Sequence, residues 1–306
     1  MRPGSTCGLP RSAERGRHGQ YVVDLSVVVV SFNVRGWLAA CLRSLEAAAP
    51  ALRLEVFVVD NASRDGSADM VTREFPGATL MRNAANRGFA PANNQALRLC
   101  RGRHVLLLNP DTEVREGGLA ELVAFLDTHA DVGIVGAQLL NPDGSLQPSG
   151  NALRPGWSYV VDALPLHRLG LRRSRSYLEP GRNYEEVREV GEVSGACLMM
   201  RREVQETVGL LDERFFFCYE DVDLCIRVRK AGWRVIYDPV AKVVHHGGRS
   251  MPADSRDLRR RWERAQLVFI RKHHGLLPYA AVGAVIGIKE VIRGARRAVR
   301  LGGRST

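Results

Sequence analysis

The chain lacks the marks of several common protein classes. No run of eighteen apolar residues occurs anywhere in its 306 residues, so it contains no clear transmembrane helix. Residues 1–20 are rich in Arg, Gly, Ser and Pro and have no apolar stretch of the kind a secretory signal needs. Residues 1–22 are read as a disordered basic leader. The six cysteines (Cys7, Cys41, Cys100, Cys197, Cys218, Cys225) form no CxxC pair and no disulfide-framework spacing. Most sit in apolar contexts, as small buried hydrophobes do, and a reducing, cytoplasmic setting is expected. No GxGxxG follows the first apolar strand, which counts against a nicotinamide-dependent oxidoreductase.

What is present is a balanced globular composition with an unusual charge distribution. Hydrophobic residues make up 45% and charged residues 25%, enough for a full core. The formal net charge is +11, and residues 256–306 carry thirteen Lys/Arg against three acids, a net of +10. A nucleic-acid binder would spread its charge over a folded face. Here a tail carries it, so no nucleic-acid partner is expected.

Along the chain, Leu25 to Asn33 is a continuous, largely β-branched run typical of a buried parallel strand. Helical spacing follows over residues 36–48, then strands over Leu54–Val59, Ala78–Arg82 and His104–Leu108, with helical segments between them. Four strand–helix alternations with short links predict an α/β, Rossmann-like doubly wound, mostly parallel sheet. In the second half a strand is expected over Gly133–Leu140, followed by the Asn141-Pro142-Asp143-Gly144 turn. A long loop or insert is expected over 151–188, one continuous strand over Val190–Arg201 and a helix from Leu224 to Ala231. Two closing strands are expected at Trp233–Tyr237 and Ala241–Val244.

The segment Phe215–Cys225 carries the chemistry, with Glu220, Asp221 and Asp223 inside four residues directly behind an aromatic run. Carboxylates crowded against an apolar wall have their pKa values driven apart, the usual sign of a site. Asp60 and Asp111 each end an apolar β-type run, and His245-His246 follows another. Carboxylates and imidazole at strand ends point to a nucleotide and a divalent metal. The plain alternatives are an Asx turn at Asp111, a turn or helix cap near Asp60, and a cap role for Asp223 immediately before its helix.

The ordered set SVVVVSFN, VVDNASRDGS, NRGFAPANN, LLLNPDTEV, EVSGACLMMRR, GLLDERFFFCYEDVDLCIR and HHGGRS resembles the inverting family-2 glycosyltransferases of the GT-A fold, over about residues 25–250. Within that family it is most similar to the rhamnosyltransferase-like enzymes that extend lipid-linked or cell-wall glycans. The resemblance implies a catalytic domain over residues 23–254, with a nucleotide-sugar half (23–115), an acceptor half (116–254) carrying a smaller mixed sheet, and a basic helical tail from 255 to 306. It places the general base at Asp221, with Glu220 and Asp223 orienting it or raising its pKa. It places a Mg²⁺ or Mn²⁺ ion on Asp111 and an imidazole, with His245 favoured over His246. Asn109 stands where the family has the first carboxylate of an Asp-x-Asp pair, a departure shared with the rhamnosyltransferase-like subgroup. Donor contacts fall to Ser31, Asn33, Asp60, Asn61, Asn86, Gly88, Asn93, Asn109 and Arg249, with Arg249 pairing with the diphosphate. Val193–Cys197 would floor the acceptor side, and Trp157 and Tyr159 would offer a sugar-stacking surface.

The expected reaction moves L-rhamnose from dTDP-L-rhamnose to a hydroxyl of a glycan or polyprenyl-diphosphate-linked acceptor. The alternatives are another nucleotide sugar, hexosyl or N-acetylhexosaminyl, and a non-catalytic nucleotide binder. The tail has an Arg-rich helical stretch (256–274), thirteen mostly apolar residues (276–288) and further arginines. It reads either as a peripheral anchor on the anionic inner face of the cell membrane or as a terminal helix packed on the domain.

Overall fold

The computed structural model describes residues 23–48, 51–164, 183–248 and 256–302, with side chains described as far as Arg293. The first strand, β1 (Leu25–Ser31), is buried along its whole length. Its alternate side chains feed two layers. Val27 and Val29 pack with Leu38, Cys41, Leu42 and Leu45 of α1 (Arg35–Ala48). Val28 and Val30 pack with Ala92, Ala96 and Leu97 of α3 (Phe89–Leu97) on the other face. Helices on both faces of a strand explain an apolar run without alternation.

Beside β1 stand β2 (Leu54–Asp60), β3 (Thr79–Arg82) and β4 (His104–Leu108), all parallel. The sheet continues through β11 (Cys197–Arg201), β6 (Val132–Leu140), β12 (Arg234–His245) and β5 (Thr112–Val114), in the order β3-β2-β1-β4-β11-β6-β12-β5. β11 is antiparallel to both β4 and β6, and β5 is antiparallel to β12, while β12 runs parallel to β6. The two-residue strands β7 (Leu146–Gln147) and β9 (Arg188–Glu189) pair with β6 and β12. A separate small sheet joins β8 (Gly150–Asn151) to β10 (Glu192–Val193). This is the mostly parallel doubly wound sheet with a smaller second sheet expected from the sequence.

Register decides what meets at the working edge. The carboxyl ends of β1, β2, β4 and β12, and the amino end of the reversed β11, all lie on one side. Open α/β sheets bind ligands there.

Four local expectations differ from the structure. The strand over Val190–Arg201 is broken into β10 and β11, because Ser194–Ala196 turns out of the sheet to bond elsewhere: Ser194 N–H donates to Ser149 O and Gly195 N–H to Asp221. The two closing strands are one twelve-residue strand, β12, with a register irregularity between Asp238 and Lys242. Part of the expected loop 151–188 is the helix α5 (Gly156–Ala163), while 165–182 lie outside the described residues. The helix α7 begins at Glu220 rather than Leu224 and runs to Lys230. All three carboxylates therefore occupy its first turn, and none caps it.

The helices α8 (Arg256–His273) and α9 (Leu276–Gly302) follow. Phe269 and Ile270 of α8 are buried against Phe215, Ile226, Tyr159 and Val282, joining α5, α7, α8 and α9 in a third apolar cluster. The deepest polar contact across it is Asp223, fully buried, which accepts from Arg227 (2.8 Å), Lys272 (2.6 Å) and His273 (2.7 Å). Burial alone would raise the pKa of Asp223, but the hydrogen bonds from His273, Lys272 and Arg227 hold it below the ordinary value. Lys272 also bonds Asp212 at 2.7 Å.

Removing one partner from a buried charge cluster leaves the others uncompensated. Asp223→Ala is expected to lower unfolding free energy by about 3–5 kcal/mol, read from urea denaturation at neutral pH. The native anchor contributes above the unfolded carboxylate pKa and is lost as pH falls through the depressed folded value, so the gap between wild type and variant should close in acid.

Candidate active site

A cavity of about 490 Å³ opens at the working edge of the sheet. One wall is the segment Phe216–Asp221, which enters α7 through two successive residues at positive φ, Cys218 (67°) and Tyr219 (70°). Non-glycine residues there carry strain and persist where packing over-determines them. The packing comes from the aromatic cluster: Tyr219 stacks on Phe269 of α8 at 5.0 Å and lies 6.1 Å from Trp262 and 6.4 Å from Tyr159. Arg261 sits 3.8 Å over the Phe216 ring. The opposite side is fastened by Phe89 N–H donating to Phe216 O at 2.6 Å. Gly88, at φ 94°, allows this approach, because a β-carbon there would meet Phe216 O at 2.6 Å. The glycine serves contact between two protein loops as well as lining the cavity.

Asp221 is cradled by backbone amides. Gly195 N–H donates to Oδ2 at 2.9 Å and Val222 N–H to Oδ1 at 2.8 Å. Burial nevertheless dominates and raises its pKa above the ordinary carboxylate value. Glu220 is 5% exposed, its Oε2 has no hydrogen-bond partner among the described residues, and burial followed by the Asp221 charge pushes its pKa well up. Asp223 turns away to α8 and does not line the cavity; its charge is a minor contributor to the shift of Glu220.

On the other side lie Asn109, Asp111 and His245. The β5–β12 pairing sets Thr112 opposite His245, and His246 N–H donates to Asp111 O at 2.9 Å. His245 Nε2 lies 3.5 Å from Asp111 Oδ1 and 3.4 Å from Asn109 Nδ2. His246, on the opposite face of the strand, bonds Glu113 at 2.7 Å and packs on Trp37. The pair facing the cavity is thus Asp111–His245. Among the described residues no group of three or more His, Cys, Asp and Glu side chains is placed to hold a metal. A carboxylate and an imidazole nitrogen 3.5 Å apart still fit two positions of one Mg²⁺ or Mn²⁺ ion, which keeps several sites for water and phosphate oxygens.

The asparagines have distinct places. Asn61 donates to Asn86 Oδ1 (2.9 Å) and Gly88 O (3.1 Å) and accepts from Arg87 N–H (3.0 Å), organising the loop before α3. Asn61, Asn86 and Gly88 line the cavity. Ser31, Asn33, Asp60 and Asn93 do not. Asn33, at φ 54°, ties the β1 loop to the β2 loop by accepting from Arg64 N–H (2.7 Å). Asp60 accepts from Ser63 N–H through Oδ2 (3.1 Å), and its buried Oδ1 has no partner among the described residues. Asn93 is an interior helix residue bonded to Phe89 O, and Ser31 ends β1 fully buried. Arg249 lies outside the described residues. Of Val193–Cys197, Ser194, Gly195 and Ala196 line the cavity while Val193 and Cys197 are core; Tyr159 is core too, and Trp157, exposed, lies off the cavity.

Sequence reasoning missed Gln147, bonded to both His245 Nδ1 and His245 O, and Leu258 of α8, which lines the cavity. Neither carries a signal at sequence level: one follows a turn motif, the other sits inside a basic run.

Glu220→Gln replaces a buried carboxyl, with no partner at one oxygen, by a group that cannot ionise. The variant is expected to melt higher than wild type at pH 7–8, because a raised folded pKa costs stability above the unfolded value of 4.5. Below that value both states are protonated and the gain should vanish, which paired melting curves across pH will show.

Residues 26–209 match the family described as glycosyl transferase family 2. Over 266 residues the chain is 29% identical to N-acetylglucosaminyl-diphospho-decaprenol L-rhamnosyltransferase of Mycobacterium tuberculosis, covering 82% of this chain and 85% of that one. It is 30% identical over 231 residues to the O-antigen biosynthesis protein RfbC of Myxococcus xanthus, covering 74% of this chain and 18% of that protein. Its fold is similar to that of the mannosyltransferase PcManGT from Pyrobaculum calidifontis in complex with GDP-Man and Mn²⁺ (TM-score 0.55, 17% identity, 92% of this chain and 81% of that one). It is also similar to GalNAc-T7 with UDP, GalNAc and Mn²⁺ (TM-score 0.59, 16% identity, 85% and 52%). With the strand-end cavity and the carboxylates of α7, these matches make the chain a nucleotide-sugar-dependent glycosyltransferase belonging to glycosyl transferase family 2.

Proposed function

We propose that the protein is an inverting rhamnosyltransferase, moving L-rhamnose from dTDP-L-rhamnose to a hydroxyl of a glycan or polyprenyl-diphosphate-linked acceptor. The observation that carries the reading is Asp221, held by two backbone amides on one wall of a cavity whose far wall is Asp111–His245. Each Asp221 oxygen accepts one amide and keeps capacity for a proton. Burial raises its pKa above the ordinary carboxylate value, which strengthens it as a base. Asp221 takes the acceptor hydroxyl proton as that oxygen attacks the anomeric carbon, and burial with the Asp221 charge pushes the Glu220 pKa up, disfavouring a second charge on the wall.

Asp111 and His245 would hold Mg²⁺ or Mn²⁺, with Asn109 beside them. The ion supplies positive charge against that building on the leaving diphosphate. Both fold neighbours have Mn²⁺ in their descriptions, which supports the same use here. The donor base falls to the end of β2, where Asn61 lines the cavity and the partnerless Oδ1 of Asp60 lies buried behind it. The sugar and acceptor follow the mycobacterial relative, whose name specifies rhamnosyl transfer to a diphospho-decaprenol-linked sugar.

Purified protein given dTDP-L-rhamnose, a polyprenyl-diphosphate-linked N-acetylglucosamine and Mn²⁺ should release dTDP, with chelator abolishing release. Asp221→Asn should cut turnover by about 10²–10⁴-fold with donor binding retained. Release from UDP- or GDP-sugars alone would move the assignment to another donor, and normal turnover by Asp221→Asn would remove the base from that residue.

A polyprenyl-linked acceptor would be reached at the inner face of the membrane, and the surface of α9 supports that position. Among the described residues no helix is long and apolar enough to cross a bilayer. Instead α9 turns an apolar stripe outward: Leu277 (86% exposed), Ala280, Ala284, Ile288 (60%) and Val291 (73%), at helical spacing. Trp157 of α5, which packs beside α9, is 66% exposed. An outward apolar stripe on a segment of net positive charge suits anionic lipid. Wild type should float with phosphatidylglycerol vesicles, and Leu277→Glu/Ile288→Glu should remain in the soluble fraction with an unchanged melting temperature. Equal flotation of both proteins would dismiss this surface.

A further inference from the structure

We infer that Gln147 is a positioning residue that fixes His245 as its Nδ1–H tautomer, so that the Nε2 lone pair faces Asp111 and Asn109, where a divalent cation would meet it. The inference deepens the proposed function, since it rests on His245 being the imidazole that meets the metal.

The argument is one of donors and acceptors. The backbone oxygen of His245 can only accept, and the Gln147 side chain bonds it at 2.7 Å, so that contact must be made by the amide nitrogen. The same nitrogen donates its second hydrogen to Asn141 Oδ1 at 2.7 Å. Both amide hydrogens are then used, and Oε1 is what faces His245 Nδ1, at 2.9 Å. An acceptor there requires a hydrogen on Nδ1. In a neutral imidazole the other nitrogen then carries the lone pair, which is the metal-binding form.

A flipped Gln147 amide would set its oxygen against the His245 carbonyl and against Asn141 Oδ1 together. The Asn141 orientation is set in turn from below. Ser145 donates its hydroxyl to Asp143 Oδ1 at 2.6 Å, and Asn141 Nδ2 donates to Ser145 Oγ at 2.8 Å. Asp143 is held below the ordinary carboxylate range by the Ser145 hydroxyl, and as an ionised carboxylate it can only accept. Every bond from Asp143 through Ser145, Asn141 and Gln147 to His245 thus has one allowed direction. The two ends of the chain, a backbone carbonyl and an ionised carboxylate, can only accept, and they fix the amide orientations between them.

This gives the Asn141–Gly144 turn a purpose beyond reversing the chain. Gly144, at φ 83°, closes it, with Asn141 N–H donating to Ser145 O at 2.7 Å. The hairpin then sets Gln147 beside Leu139, at the end of β6 next to β12. A histidine left to solvent samples both tautomers; here the wrong one would point an N–H at the cation site.

The experiment reads the tautomer directly in the metal-free full chain. Protein labelled with ¹⁵N-histidine is examined by long-range ¹H–¹⁵N correlation at a pH where His245 is neutral, with its signals identified through His245→Asn. Wild type should show a protonated Nδ1 and a lone-pair Nε2. Gln147→Leu should lose that signature and weaken Mn²⁺ binding, titrated by electron paramagnetic resonance with dTDP present, by about 10–100-fold. An Nε2–H tautomer in wild type, or an unchanged Nδ1–H tautomer in Gln147→Leu, would overturn the inference without any need for the variants to bind metal. A Gln147-dependent Nδ1–H tautomer in a protein that binds no Mn²⁺ would uphold the positioning role and overturn the metal reading alone.

Discussion

Three carboxylates in the first turn of α7 have to be kept in different states, and the architecture around the cavity follows from how that is done. Asp223 is buried deepest and is matched by Arg227, Lys272 and His273, so it stays ionised. Asp221 keeps two backbone amides and an aspect toward the cavity. Glu220 has burial without compensation and is driven toward neutrality. Like charges a few ångströms apart in low dielectric cannot all persist without such a division. Because Lys272 and His273 both belong to α8, the ionic state of this turn depends on a helix that is fifty residues away in the chain.

That dependence extends to backbone conformation. Cys218 and Tyr219 hold positive φ angles that ordinary side chains avoid, and the Tyr219 ring is kept in place by Phe269, Trp262 and Tyr159. The helix that supplies Lys272 and His273 to Asp223 therefore also supplies the surface on which the strained entry to α7 rests. On the opposite wall the same principle works by hydrogen-bond direction instead of charge: the turn before β7 aims Gln147, and Gln147 aims the imidazole. Both walls of the cavity are set from outside it.

How far the sequence made this legible varied with how local the cause was. β1 announced itself, since a strand covered on both faces must be apolar throughout. The break between Val193 and Cys197 did not, because the Ser194–Ala196 backbone leaves the sheet to meet Ser149 and Asp221, partners 45 and 26 residues away from Ser194 and Gly195. The start of α7 was placed four residues late because Glu, Asp and Asp behind three phenylalanines look like a loop, yet the helix N-terminus favours acids in its first turn. Gln147 carried no signal at all: its role exists only through β6 and β12 lying side by side.

The sequence by itself determined the strand–helix alternation, and with it the edge where Asp60, Asn109, Asp111 and His245 stand, since parallel strands joined by helices deliver their carboxyl ends to one side. It also determined which side chains were available there. The tertiary structure decided which of them face the cavity and in what state. His245 rather than His246 turns to Asp111 through the pairing of β12 with β5, and Asp223 rather than Asp221 receives the hydrogen bonds of Lys272 and His273 from α8. Those outcomes depend on register and on contacts across long sequence separations. A sequence pattern reports the periodicity of a segment, whereas ionisation, tautomer and facing are properties of what the fold sets against it.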